Sequence, residues 1–187
     1  MHWKNLFLVL LVNMEMERSR ILIIGATGYI GRHIAKASLA LGHPTFLLVR
    51  ESTASNAEKA KLLESFTASG AIILHGSLED QASLVEAIKK VDVVISAVKG
   101  PQLTDQLNII KAIKEVGTIK SFSLSEFGNN VDRNHAVEPA KTIFATKEKI
   151  RRAIEVEGIP YTFVSGNCFA IFFCQVWGSR ALLPSKG

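Results

Sequence analysis

The stretch RILIIGATGYIGRH, Arg20 to His33, limits the fold of this 187-residue chain more than any other. Four apolar residues, Ile21 to Ile24, run directly into glycines at 25, 28 and 31. Apolar positions Ile30, Ile34, Ala37 and Leu41 then recur at helical spacing. A short unbroken apolar run suits a strand buried on both faces, as strands of a parallel sheet are. Glycines at its end let the chain turn sharply and let a ligand approach the backbone N–H groups. The N-terminus of the following helix adds partial positive charge, so the three parts together suit a phosphate-like anion. Glycines at this spacing also serve plain helix–sheet packing. The strand before them and the helix after them favour the anion site.

The rest of the chain keeps the same rhythm. Residues 45–50, 71–76, 91–98, 119–124 and 161–166 read as further strands. Residues 56–68, a segment around Leu84, Ala87 and Ile88, and residues 103–116 and 139–157 read as helices, with glycines at 42, 70, 117 and 158 as stops. Strands alternating with helices predict an α/β fold, a doubly wound parallel sheet of the Rossmann type with flanking helices. A ligand of such a sheet lies beyond the carboxyl ends of the strands, where strand order reverses. That rule predicts one cleft edged by the Gly25 loop, Arg50, Ser96 and Ser125. Residues 16–170 form the expected domain, residues 1–15 an N-terminal extension and residues 171–187 a divergent tail.

Composition removes several function classes. Hydrophobic residues make up 48% and charged residues 21%, which is globular and not disordered. The net charge of +5 is uneven, with five basic residues against Glu148 alone between Lys141 and Arg152. No recognition motif for nucleic acid accompanies that excess, and an anionic small ligand explains it as well. Histidines at 2, 33, 43, 75 and 135 have no metal-ligand spacing, and Cys168 and Cys174 make no disulfide framework, so no metal and a reduced cytoplasmic setting are expected. The apolar run Leu6 to Val12 is too short to span a bilayer, so no membrane partner is expected.

The end of the second strand selects among anions. An acidic residue there suits a free ribose 2′-hydroxyl, whereas a cation suits a 2′-phosphate. TFLLVR ends in Arg50, whose guanidinium can fork onto a phosphate, and Lys59 follows at the start of the next helix. The expected cofactor is therefore NADPH, against the alternative of Arg50 as a solvated surface charge. On the 139–157 helix, Ile143, Ile150 and Ile154 share one stripe, and Lys147 falls within it. A lysine there either snorkels or occupies a polar cleft, where desolvation lowers its proton affinity toward values useful in acid–base work. Arg151, one turn on, would depress it further. Neither Tyr29 nor Tyr161 has a lysine four residues later, so the Tyr-x-x-x-Lys pair of ordinary short-chain dehydrogenases is absent and Lys147 is the candidate proton donor.

The stretches ILIIGATGYIGRHIAKASLALGHPTFLLVREST, VDVVISAV, SEFGNNVDRNHAVEPAK and KEKIRRAIEVEGIPYTFVSGNCFA resemble the plant isoflavone reductase-like family. This NmrA-like, atypical branch of the short-chain reductases is matched over about residues 20–170, most nearly in its phenylcoumaran benzylic ether reductases. The resemblance implies an NADPH-dependent reductase of phenylpropanoid-type substrates that delivers hydride to a benzylic carbon. Carried over by position, Gly25, Ala26, Thr27, Gly28, Tyr29, Ile30 and Gly31 would bind the pyrophosphate, and Arg50 and Lys59 the 2′-phosphate. Lys147 would be the catalytic acid/base and Arg151 a cofactor neighbour. Ala26 stands where the family usually has glycine, and Ser123-Leu124 where it has Phe-Pro. After Ala170 the family pattern fades, so the resemblance implies a truncated chain whose substrate region is largely missing. That keeps a second reading open, a non-catalytic NADP-binding sensor of the NmrA-like kind. A homodimer is compatible with either.

Overall fold

A computed structural model describes residues 18–133, 137–138 and 140–165 of the chain. The expected extension over residues 1–15 and tail over 171–187 lie outside these described residues. Strands β1 (Ile21–Ile24), β2 (Thr45–Val49), β3 (Ile72–His75), β4 (Val93–Ser96), β5 (Ser121–Ser123) and β6 (Tyr161–Thr162) form one sheet in the order β3-β2-β1-β4-β5-β6. Every pairing is parallel. Helices α1 (Gly31–Ala40), α2 (Ala57–Ala68), α3 (Gln81–Ile88), α4 (Gln106–Val116) and α5 (Ala140–Glu157) fill the crossovers. The doubly wound expectation is met, with strand order reversing between β1 and β4.

Alternation along β1 builds both layers. Ile21 and Ile23 join Ala35 of α1 and Phe66 of α2 in one apolar cluster. Leu22 and Ile24 join the other, with Leu84 and Ile88 of α3, Ile109 and Ile113 of α4, and Ile150 and Ile154 of α5. Because successive side chains of a strand point to opposite faces, four consecutive apolar residues are what a central, doubly covered strand requires. Local signals fix the helix ends. Asn56 and Asp80 cap α2 and α3 through their side-chain oxygens, and Gly117 closes α4 at φ +71°.

The strands are shorter than the apolar runs suggested. β5 is three residues long, so β6 has only Phe122 and Ser123 to pair with and stops at Thr162. α4 starts at Gln106, after a short 3-10 turn over Gly100–Leu103. On α5 the expected stripe is buried at Ile150 and Ile154, but Ile143 is 48% exposed. Helical periodicity shows which side faces the sheet, not where the sheet ends.

At the amino end of the strands, Asp92 joins neighbouring elements. It accepts from the Arg20 backbone N–H at 2.9 Å and from its Nε at 3.0 Å, with Lys120 Nζ 3.5 Å away. Those bonds hold its carboxyl well below the usual carboxylate range.

Candidate functional site

The other end of the sheet holds a cavity of about 320 Å³ at the reversal point. Its floor is the glycine loop, and two glycines there have no substitute. Gly25 sits at φ +86°, and a Cβ would meet the Ala97 carbonyl oxygen at 2.8 Å. At Gly31 a Cβ would fall 2.1 Å from the Gly25 carbonyl oxygen, so α1 can begin this close to the strand end only without a side chain. Gly28 closes the turn by donating its N–H to Gly25 at 2.9 Å. No side chain caps α1 and no acid stands in its first turn, which leaves the positive end of the helix to a ligand.

Gly25, Ala26, Thr27, Gly28 and Tyr29 all line the cavity. Ile30 and Gly31 stand behind them as the cap and first residue of α1. Arg50 leaves β2 into the opposite wall, and Lys59 in the first turn of α2 joins it. Glu51, the dissonant charge beside Arg50, is exposed and outside the lining. With the Gln102 amide turned to accept, its oxygen lies 3.0 and 3.3 Å from the two terminal nitrogens of Arg50. Among the described residues neither Arg50 nor Lys59 has a carboxylate partner.

Sequence reasoning missed further members of this wall. Arg32 lines the cavity with its Nε on the Gly28 carbonyl at 3.2 Å, and Lys99 adds a fourth cation against Glu79 and Asp105. Arg32 was visible as a basic residue in the first turn of the glycine helix, whereas Lys99 and Gln102 lie in a loop with no local signal. Ser96 and Ser125, expected along the cleft, are buried within the fold. Ser125 Oγ donates to the Val98 carbonyl at 2.5 Å, and Ser96 Oγ has no hydrogen-bond partner among the described residues.

Lys147 and Arg151 lie beside a different element, the loop after β5. Lys147 is half-buried, and its Nζ donates to the Glu126 main-chain carbonyl at 2.9 Å. Burial pushes its ammonium below the ordinary value, with the Glu126 carboxylate opposing and the Arg151 charge assisting. Arg151 is only 4% exposed. Its guanidinium forks onto both Glu126 carboxylate oxygens and also donates to Asn130 at 3.1 Å and Asp132 at 2.6 Å. The Phe163 ring lies 4.3 Å beneath it. Neither Lys147 nor Arg151 lines the cavity. They connect to it through Ser125 and Val98, the latter a lining residue.

This geometry can hold an anionic ligand on backbone and cations, with an amine of lowered proton affinity one loop away. Among the described residues no cluster could hold a metal ion, and no helix is long and apolar enough to cross a membrane. The chain is 73% identical over 167 residues to a phenylcoumaran benzylic ether reductase of Ginkgo biloba, covering 89% of this chain and 55% of that protein. Its fold matches the solved structure of AtPrR2 with NADP+ and (+)-pinoresinol at a TM-score of 0.79 and 44% identity, covering 84% of this chain and 52% of that one. It also matches the leucoanthocyanidin reductase–NADPH complex from Vitis vinifera at a TM-score of 0.75 and 40% identity, over 78% of this chain and 49% of that one. The chain thus spans about half the length of these relatives. The NmrA-like family model matches residues 17–186, and with a glycine-floored cavity at the reversal of a doubly wound sheet, the chain belongs to the NmrA-like family.

Proposed function

We propose that this chain binds NADPH in the glycine-floored cavity and serves as the cofactor half of a phenylpropanoid reductase. The observation that carries the reading is Arg50, a cation at the end of β2 that faces the cavity without a carboxylate partner among the described residues. In this reading Gly25 to Gly31 cradle the pyrophosphate, and Arg50 and Lys59 hold the 2′-phosphate. The relatives support the same ligand class, since two solved ones carry NADP+ or NADPH.

The cofactor, when bound, supplies a hydride. The chain's own residues position it, exclude water and handle a proton. Lys147 is the residue for the last task. Its half-buried amine can release a proton to a departing phenolic oxygen and recover it from water, because burial disfavours the charged form. A benzylic ether of a phenylpropanoid dimer is the substrate class that the Ginkgo relative's name supports. The reading includes a cytoplasmic location and allows a homodimer.

The test joins the second half of the Ginkgo relative to this chain after Ser165 and measures NADPH oxidation on a phenylcoumaran dimer. The joined protein should turn over, and Lys147→Ala should lower kcat by about 10²–10⁴-fold, the usual contribution of a positioned acid or base, while NADPH still binds. Turnover that survives Lys147→Ala would end the assignment of the proton to this residue. NADPH binding without turnover in the joined protein would favour a sensor over a reductase.

A further inference from the structure

Glu126 is an acidic residue that is almost wholly enclosed, 4% exposed, and it is held at two separate points. Its carboxylate takes the Arg151 fork, and its main-chain carbonyl takes the Lys147 ammonium. The loop around it is fixed as tightly. Ser125 donates its N–H to Gln106 Oε1 at 2.8 Å and its hydroxyl to the Val98 carbonyl, while the Glu126 N–H donates to the Leu124 carbonyl at 2.8 Å. Phe127 follows at φ +26°, the sole positive φ outside glycine among the described residues. A side-chain-bearing residue keeps such a conformation only where its surroundings impose it.

We propose that Arg151 and Glu126 form a positioning pair for Lys147: the buried guanidinium fixes Glu126, and Glu126 so fixed aims its carbonyl at the lysine. The inference rests on the reading of Lys147 as the proton-handling group. It gives Arg151 a task other than contact with a cofactor, since its N–H groups already meet Glu126, Asn130 and Asp132. Arginine suits the place because its planar fork matches a carboxylate in two bonds, which lysine cannot do. Two chains of contact then meet at one loop. One runs from the cavity through Val98 and Ser125, and the other from α5 through Arg151 and Lys147.

Among the described residues, the charged groups that bear on Lys147 are Glu126, from the loop after β5, and Arg151, from its own helix. Asp132 lies one link further, shared between Arg151 and Arg152. Removing either member of the pair should therefore move the lysine's titration in opposite directions. Glu126→Gln keeps the shape of the side chain but removes the carboxylate that favours the charged lysine, so Lys147 should lose its proton at lower pH. Arg151→Met removes the neighbouring cation, so Lys147 should hold its proton to higher pH.

The experiment is an NMR titration of the full 187-residue chain carrying 13C-labelled lysine, with the Lys147 signal assigned by its loss in Lys147→Arg. In the unsubstituted chain Lys147 should titrate below the exposed lysines. Glu126→Gln should lower its midpoint by about one pH unit and Arg151→Met raise it by a similar amount, the lower end of what a neighbouring charge does. The double variant should return it toward the starting value. NADPH affinity, titrated in the same samples, should stay within about twofold in Arg151→Met, as for a residue that does not touch the cofactor. Glu126→Gln is nearly isosteric and carries the test alone if Arg151→Met does not fold. A Lys147 midpoint unmoved by Glu126→Gln would overturn the proposal. So would an Arg151→Met chain that loses tenfold in NADPH affinity with its lysine titration unchanged. A chain that binds no NADPH at all would refute the proposed function, yet the titration would still report on the pair.

Discussion

Two arginines divide the molecule's chemistry between them. Arg50 stands at the end of β2, exposed, facing the cavity, with the neutral Gln102 amide beside it and no carboxylate partner among the described residues. Arg151 is buried in α5 and bonds Glu126, Asp132 and Asn130. The side chain is the same and the surroundings are opposite. A cation that faces the glycine cradle with no carboxylate partner among the described residues is available to a ligand. A cation enclosed with carboxylates holds the protein to itself. Basic composition alone cannot separate the two: within the basic cluster on α5, Arg151 is buried with carboxylates, whereas Lys141, Lys149 and Arg152 are exposed.

That contrast can be broken by substitution. Arg151→Ala strands Glu126 as a buried unpaired charge and should cost about 3–5 kcal/mol of stability, whereas Arg50→Ala should stay within about 0.5 kcal/mol, as surface changes do. Urea unfolding of both variants reads the difference, and equal losses would erase the distinction. A smaller effect is expected from the glycine floor. Gly31→Ala forces a methyl group onto the Gly25 carbonyl and should cost about 1–3 kcal/mol, the range for overpacking. It should also weaken NADPH binding, and a normal melting temperature with unchanged affinity would contradict the described loop. Lys59→Ala should lower NADPH affinity only severalfold, by about 1 kcal/mol, since its charge is exposed and screened. Calorimetric titration at two salt concentrations would show it.

The smallest effect belongs to the amino end of the sheet. The folded-state pKa of Asp92 is depressed, so the unfolded chain takes up its proton first as pH falls. The stability it contributes is fully present above about pH 4, the ordinary aspartate value, and declines below that. Asp92→Asn should flatten this acid limb in thermal melts between about pH 5 and pH 2. An acid limb unchanged in the variant would remove Asp92 from the account.

Much of the fold was legible because β1, β2 and β4 carry buried apolar runs and the helices between them carry caps and glycine stops. Element ends were less so. β6 is as short as its partner β5 allows, and Ile143 lies on the correct stripe of α5 yet is largely exposed, both consequences of neighbours and not of local pattern. In the site, the glycine loop and Arg50 were readable because strand, turn and charge are contiguous in the chain. Lys147 was readable as an anomaly on an apolar stripe. Glu126 was not, because its meaning depends on Arg151, 25 residues away, and on a loop whose carbonyl direction no side chain announces. Ser96 and Ser125 show the converse: Ser96 ends β4 and Ser125 follows β5, but neither lines the cavity and their hydroxyls are buried inside the fold.

The account's central claim is that Arg50 is a cation reserved for a 2′-phosphate. The direct measurement is the dissociation constant of NADPH and of NADH for the 187-residue chain and for Arg50→Ala. The unsubstituted chain should prefer NADPH tenfold or more, since a charged hydrogen bond contributes about 1.5–3 kcal/mol, and Arg50→Ala should bind the two nearly equally. Equal affinities in the unsubstituted chain, or a preference that survives in Arg50→Ala, would contradict it.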